Sequence, residues 1–200
     1  MLWAAAILAS AAAPTPLAIH LHIRVALCPG PDGTAAPTRP SAWVDEHLAG
    51  VQAVLGPHGI AVTSERDDFT PPHCEILSRA DRDDFASQVP AAEGTITVLV
   101  VPLVRDLRVP SYNLRGVHWR AGKKEWIFLT ARARPPTLAH ELGHHFGLPH
   151  DPAGGNLMTP GPSSPAWQSA HPPRPFAPLL EPQQVRRLRA GIVRRRGHAP

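Results

Sequence analysis

Leu17 to Leu27 (LAIHLHIRVAL) alternates apolar and polar positions over much of its length, the period-two pattern of a strand. His20 and His22 fall on its polar side and read as surface or groove residues, not as ligands. A Pro/Gly-rich loop follows from Cys28 to Pro40. Ser41 is placed to cap a helix over 42–55, whose apolar stripe is Trp43, Leu48, Val51, Val54 and Leu55. Gly56-Pro57-His58-Gly59 ends it, and Ile60 to Ser64 begins a second strand. A strand-helix-strand order of this kind predicts parallel pairing with a right-handed crossover. The acidic stretch from Glu65 to Ala92 reads as a loop with one short helix. Thr95 to Val104 (TITVLVVPLV) is the most hydrophobic run and predicts a central strand, with Pro102 at its end or at a bulge. Arg105 to Arg115 is irregular. Gly116 to Arg120 and Glu125 to Ala131 flank Ala121-Gly122-Lys123-Lys124 as the arms of a hairpin.

The pattern then changes to a helical period. In His140-Glu141-Leu142-Gly143-His144-His145-Phe146-Gly147-Leu148-Pro149-His150, a helix over 138–146 buries Leu138, Leu142 and Phe146. It projects His140 and His144 from the opposite face, one turn apart. Two imidazoles so placed can chelate a divalent ion, and Zn²⁺ is the usual partner of nitrogen ligands that leave a position open. Glu141, beside the first ligand, is positioned to reach a bound water without coordinating. Another helical turn would carry a third imidazole too far along the axis. Gly147 tolerates the left-handed conformation that ends a helix and turns the chain back, so that His150 can approach. From Asp151 to Pro182 the chain is dense in Pro, Gly and Ser, and Glu181 to Val193 reads as a closing helix with Val185, Leu188 and Ile192 inward.

Two hundred residues make one domain or two small lobes with a proper core. The net charge is +4, but Arg186, Arg187, Arg189, Arg194, Arg195 and Arg196 are six positives near the end, and removing them leaves the remainder at −2. This local basicity reads as a solubilising helix end. With no basic face carrying aromatic platforms upstream, a nucleic-acid partner is not expected. Met1 to Ala13 is apolar and ends in small residues, as an export signal does, and is too short for a stable membrane span. Pro14 favours cleavage after Ala11 or Ala12. Secretion or periplasmic export is therefore expected, with 1–13 as the signal-like segment and 14–200 as a single domain. Cys28 and Cys74, the only thiols, either form one disulfide or stay free and buried, and neither has metal-ligand spacing.

H-E-x-x-H-x-x-G-x-x-H followed by Met158 resembles the signature of the metzincin clan of zinc metallopeptidases. The resemblance covers Leu138 to Met158. It implies that His140, His144 and His150 hold one catalytic Zn²⁺, that Glu141 is the general base, and that Met158 lies in the turn beneath the metal. It also implies an α+β fold: an α/β upper lobe (17–147) on a twisted mixed sheet with an antiparallel edge strand, then a small irregular lower lobe (148–200). By the same resemblance, Gly116, Val117, His118 and Trp119 would line the cleft and bind an extended peptide by strand addition, with His118 and Trp119 as groove residues; an ordinary hairpin with one buried tryptophan is the equal alternative. Asp151 after the third ligand is similar to the reprolysin-like branch and is expected to brace the lower lobe through backbone amides. The lower lip would include Trp167, His171 and Phe176. The implied activity is that of a monomeric zinc endopeptidase acting on peptides or proteins. Two alternatives stand beside it: a gluzincin-like site with Glu181 as third ligand, and a zinc-stabilised binding domain that does not cleave.

Overall fold

The computed structural model describes residues 16–90, 94–152, 154–160, 177 and 179–196. The signal-like segment 1–13 and the lower-lip residues Trp167, His171 and Phe176 lie outside the described residues. The elements in chain order are β1 (Leu17–Pro29), β2 (Ala35–Pro37), α1 (Ser41–Leu55), β3 (Ile60–Phe69), β4 (Glu75–Ile76), α2 (Arg79–Gln88), β5 (Ile96–Val101), β6 (Leu103–Val104), β7 (Gly116–Ala121), β8 (Lys124–Thr130), α3 (Pro135–His145) and α4 (Pro182–Arg196). The fold is mixed α+β. In the main sheet β3, β1, β5 and β8 run parallel, β7 joins β8 antiparallel at the edge, and β2 pairs with the end of β1.

Strands buried on both faces explain the composition of the centre. Every residue of β5 is buried, and alternate side chains serve two separate cores. Val98 and Val100 join Leu21, Ile23, Ile127 and Leu129 under α1, α3 and α4, whereas Leu99 and Val101 join Phe69, Phe85, Trp126 and Phe128 under α2. Phe85 meets Phe128 edge-on at 5.2 Å between ring centroids. Burying one such ring stabilises the fold by about 2–3 kcal/mol.

Several local expectations are revised. The side chain of Ser41 makes no cap, because Pro40 occupies the N-cap position of α1. Within α1, Trp43 and Leu48 are only partly buried, while Val44 and His47 are buried and His47 Nδ1 lies 2.8 Å from the Trp43 carbonyl. The acidic stretch holds its one short helix but carries more structure besides. β3 runs on to Phe69, and Ser78 opens α2 with a reciprocal capping box to Asp81. Pro102 does divide β5 from β6, which turns away to pair with β4. Cys28 and Cys74 form a disulfide that ties β1 to the segment after β3. The 46-residue separation implies about 4 kcal/mol of stabilisation on the chain-entropy model. Among the described residues, no helix is long and apolar enough to cross a membrane.

Candidate metal centre

α3 begins at Pro135, three residues before its first core-facing leucine, because Pro135 and Pro136 fill first-turn positions that need no intrahelical N–H bond. Leu138 and Leu142 anchor it in the core. This sets His140 and His144 with their Nε2 atoms 3.1 Å apart. The helix then ends in a Schellman turn: Gly147 has φ 91°, its N–H donates to the His144 carbonyl, and the Leu148 N–H donates to the Gly143 carbonyl at 2.9 Å. The reversal brings His150 Nε2 to 3.1 Å from His144 Nε2.

Proton accounting tests whether this cluster suits a metal. His140 Nδ1–H donates to the Leu157 carbonyl at 2.7 Å, and His144 Nδ1–H donates to the Leu148 carbonyl at 2.8 Å. A carbonyl cannot donate, so both neutral rings carry their proton on Nδ1 and turn a bare Nε2 lone pair inward. Two lone pairs at 3.1 Å cannot bond each other; a cation between them resolves the arrangement. Backbone carbonyls orienting the outer nitrogens are the usual support of histidine ligands. Protonation is resisted at all three rings. Burial, then the neighbouring His140, depresses His144 to about 4. His140 and His150 are also lowered, chiefly by burial. The donor set, three imidazoles with His150 exposed, fits Zn²⁺.

Met158 is fully buried and packs against Gly143 of α3. A side chain on Gly143 would meet its Sδ at 2.6 Å, so the bare glycine admits the turn against α3. Asn156 Oδ1 accepts the Met158 N–H, and the Asp151 N–H donates to the Met158 carbonyl. The Asp151 carboxylate is reached by the side-chain amides of Asn156 and Gln184. Asp151 thus links the turn to α4 through these two amides.

Glu141 is fully buried and its Oε2 accepts the His118 backbone N–H at 2.8 Å. Burial pushes its carboxyl up to about 8, with the His118 bond pulling the other way. Gly116 makes room for it, since a Cβ there would sit 3.0 Å from Glu141 Oε1. The remaining cleft residues need correction. Val117 and Trp119 pack toward the α2 core. The Trp119 indole donates to Asp83 at 3.0 Å and lies within 5 Å of both Arg79 and Arg82 guanidiniums. The His118 ring turns inward to Glu125. Neither His118 nor Trp119 therefore offers a free side chain to a groove; what the edge of β7 offers is backbone. Glu181 is exposed at the start of α4, and the third nitrogen beside His144 comes from His150, so the gluzincin-like alternative falls. His20 and His22 pair with Thr63 and Asp67 on β3 and stand apart from the cluster.

A second constellation escaped the sequence reading. The largely buried Glu125 on β8 gathers His118 Nε2 (3.0 Å), Arg195 Nη2 (2.9 Å) and Arg120 Nη2 (2.6 Å). His145 Nδ1 lies 3.2 Å from Oε2, within ion-pair range though poorly aimed for a hydrogen bond. Burial pushes Glu125 up, but the His118 and His145 contacts and the Arg195 charge outweigh it and hold the carboxyl well below the usual range. No spacing motif signals this group, because it joins β7, β8, α3 and α4. Nor does the arginine-rich end simply solubilise a helix: Arg189 bonds the His58 carbonyl and Arg196 the Ala18 carbonyl.

No family model matches the chain, and no curated protein is similar to it at a meaningful level. Among solved structures it is similar to the crystal structure of metalloproteinase-II from Bacteroides fragilis, at 16% identity and a TM-score of 0.59. The match covers 88% of this chain and 53% of that one, so the chain spans about half the length of that protein. At this identity the likeness speaks for the fold, which is metalloprotease-like.

Proposed function

We propose that this chain is a metzincin-like zinc endopeptidase. One observation carries the reading: three histidine Nε2 atoms converge, two of them stripped of their protons by backbone carbonyls, with a buried glutamate on the same helix turn. His140, His144 and His150 hold the ion. When bound, Zn²⁺ acidifies a ligated water to a pKa of about 7 and polarises a carbonyl. Glu141 takes the proton of the attacking water and hands it to the leaving amine, the two duties of a general acid–base group. β7, the antiparallel edge of the sheet, binds the substrate as an added strand through its backbone. Export follows from the signal-like N-terminus and agrees with the Cys28–Cys74 disulfide, which persists in oxidising compartments.

Digestion of an unfolded protein mixture by the zinc-loaded wild type and by Glu141→Ala, with zinc measured in both, tests the reading. Cleavage by the wild type alone, at equal zinc content, is expected. Equal cleavage by both would remove Glu141 from the mechanism. Cleavage by neither would favour a zinc-stabilised binding domain.

A further inference from the structure

We propose that Glu125 is a positioning residue for Glu141, clamping β7 to the motif helix so that the His118 N–H stays on the base. The proposal rests on the reading of Glu141 as general base. His118 is the hinge of the argument, because it faces both ways: its ring reaches Glu125 Oε2 at 3.0 Å, and its backbone N–H reaches Glu141 Oε2 at 2.8 Å. A shift of β7 that loosens one contact loosens the other.

The clamp draws on the C-terminal helix as well. Arg195 Nη2 bridges Glu125 and the carbonyl of His145 (2.7 Å), the residue directly after the second histidine of the triad. Four residues earlier α4 packs directly on the end of α3, where a Cβ on Gly191 would lie 2.2 Å from the Phe146 carbonyl oxygen. Edge strand, motif helix and closing helix thus meet at one carboxylate, whose side chain is 13% exposed.

His118, Glu125 and His145 also have the donor types of a metal site. Here, however, Arg120 and Arg195 already bring two positive charges to one carboxylate. A further cation would be repelled, and the geometry points to an anchor for donors. Its consequence for catalysis is angular, since small misplacements of a catalytic group are costly in rate.

The test uses the full zinc-loaded chain with labelled casein as substrate, and amide hydrogen exchange at His118 as a readout independent of turnover. Glu125→Gln keeps the shape and removes the charge; Arg195→Lys and Arg195→Met probe the clamp from α4 if Glu125→Gln fails to fold. Expected in the folded variants are one zinc per chain, a kcat lowered by about tenfold or more with KM within about twofold, and His118 exchange faster by about tenfold. Arg195→Lys should recover part of what Arg195→Met loses. Exchange in the central strand, at Val98, should not change. Unchanged His118 exchange, or a kcat within about twofold of wild type, would overturn the proposal. So would exchange that accelerates equally at Val98, which marks general loosening. Should the wild type cleave nothing, the peptidase reading fails, while the exchange data still decide whether Glu125 holds the His118 contact.

Discussion

His144 and His145 are neighbours in sequence with opposite chemistry. His144 donates outward to a backbone carbonyl and turns a bare nitrogen toward two other imidazoles. His145, one residue on, is turned by the helix toward a buried carboxylate already attended by two arginines. Each belongs to a three-residue group with donor atoms close enough for an ion. What separates them is the charge and proton inventory around the rings. A cluster of acceptors without protons needs a cation, whereas a carboxylate ringed by donors has its positive charge supplied by the protein.

Substituting one histidine at a time is the sharpest way to break the comparison. His144→Ala should weaken zinc affinity by about a thousandfold or more, as expected for loss of a direct ligand rather than of an outer partner. His145→Ala should keep stoichiometric zinc. Metal titration by competition with a chromophoric chelator decides it, and comparable losses in both would erase the distinction. Glu141→Gln should reduce turnover by about 10²- to 10⁴-fold at full zinc occupancy, the usual contribution of a general acid–base group.

Acid separates the two groups by pH range. His144 is lowered to about 4 in the folded protein, so between about 6.5 and 4 the unfolded chain binds more protons, and stability falls as pH falls. In that window the slope from this one ring is at most about 1.4 kcal/mol per pH unit. His145, lowered mainly by burial, adds in the same direction. Glu125, held below its ordinary value, contributes stability that is present above about pH 4.5 and is lost only as pH drops below that. The raised Glu141 carboxyl contributes in the opposite sense between about pH 8 and 4.5, so the test is a difference between variants. Taking the metal-free protein from pH 7 to 4.5 should lower Tm less in His144→Ala than in wild type. Glu125→Gln, which removes an acceptor that raises His145, should lower it no less than wild type. A slope that flattens in Glu125→Gln would contradict the assignment.

The smallest effect is expected on the other face of β7. Trp119→Phe removes the indole bond to Asp83 and should cost about 1 kcal/mol in denaturant melts, leaving cleavage unchanged. A substantial loss of turnover there would return Trp119 to the cleft.

How far the sequence reaches depends on the range of the interaction. His140 and His144 share a face because four residues make about one turn, and Gly147 alone in its neighbourhood adopts positive φ at the turn that brings back His150. The period-two run of β1 and the continuous apolar run of β5 were equally legible, since each answers to burial of one or two faces. The acidic stretch from Glu65 onward was read too loosely because Asp67, on β3, pairs with Arg24 of β1, and Asp81 caps α2. The roles of His118 and Trp119 stayed open in the sequence for a related reason: strand alternation assigns opposite faces, but not what waits on each.

By itself, then, the sequence determined the local geometry of this protein: the helix turn that pairs two imidazoles, the glycine reversal that supplies a third, and the strands that carry the core. Only the tertiary structure decided the placement of protons and charge. Leu157 lies 17 residues from His140, and Arg195 lies 70 from Glu125. Backbone periodicity acts over one or two turns, and so does the Leu148 carbonyl that holds the His144 proton four residues away. A hydrogen bond otherwise acts over about 3 Å of space regardless of chain distance, so the carboxylate and arginine that set His145 apart come near only once the chain has folded.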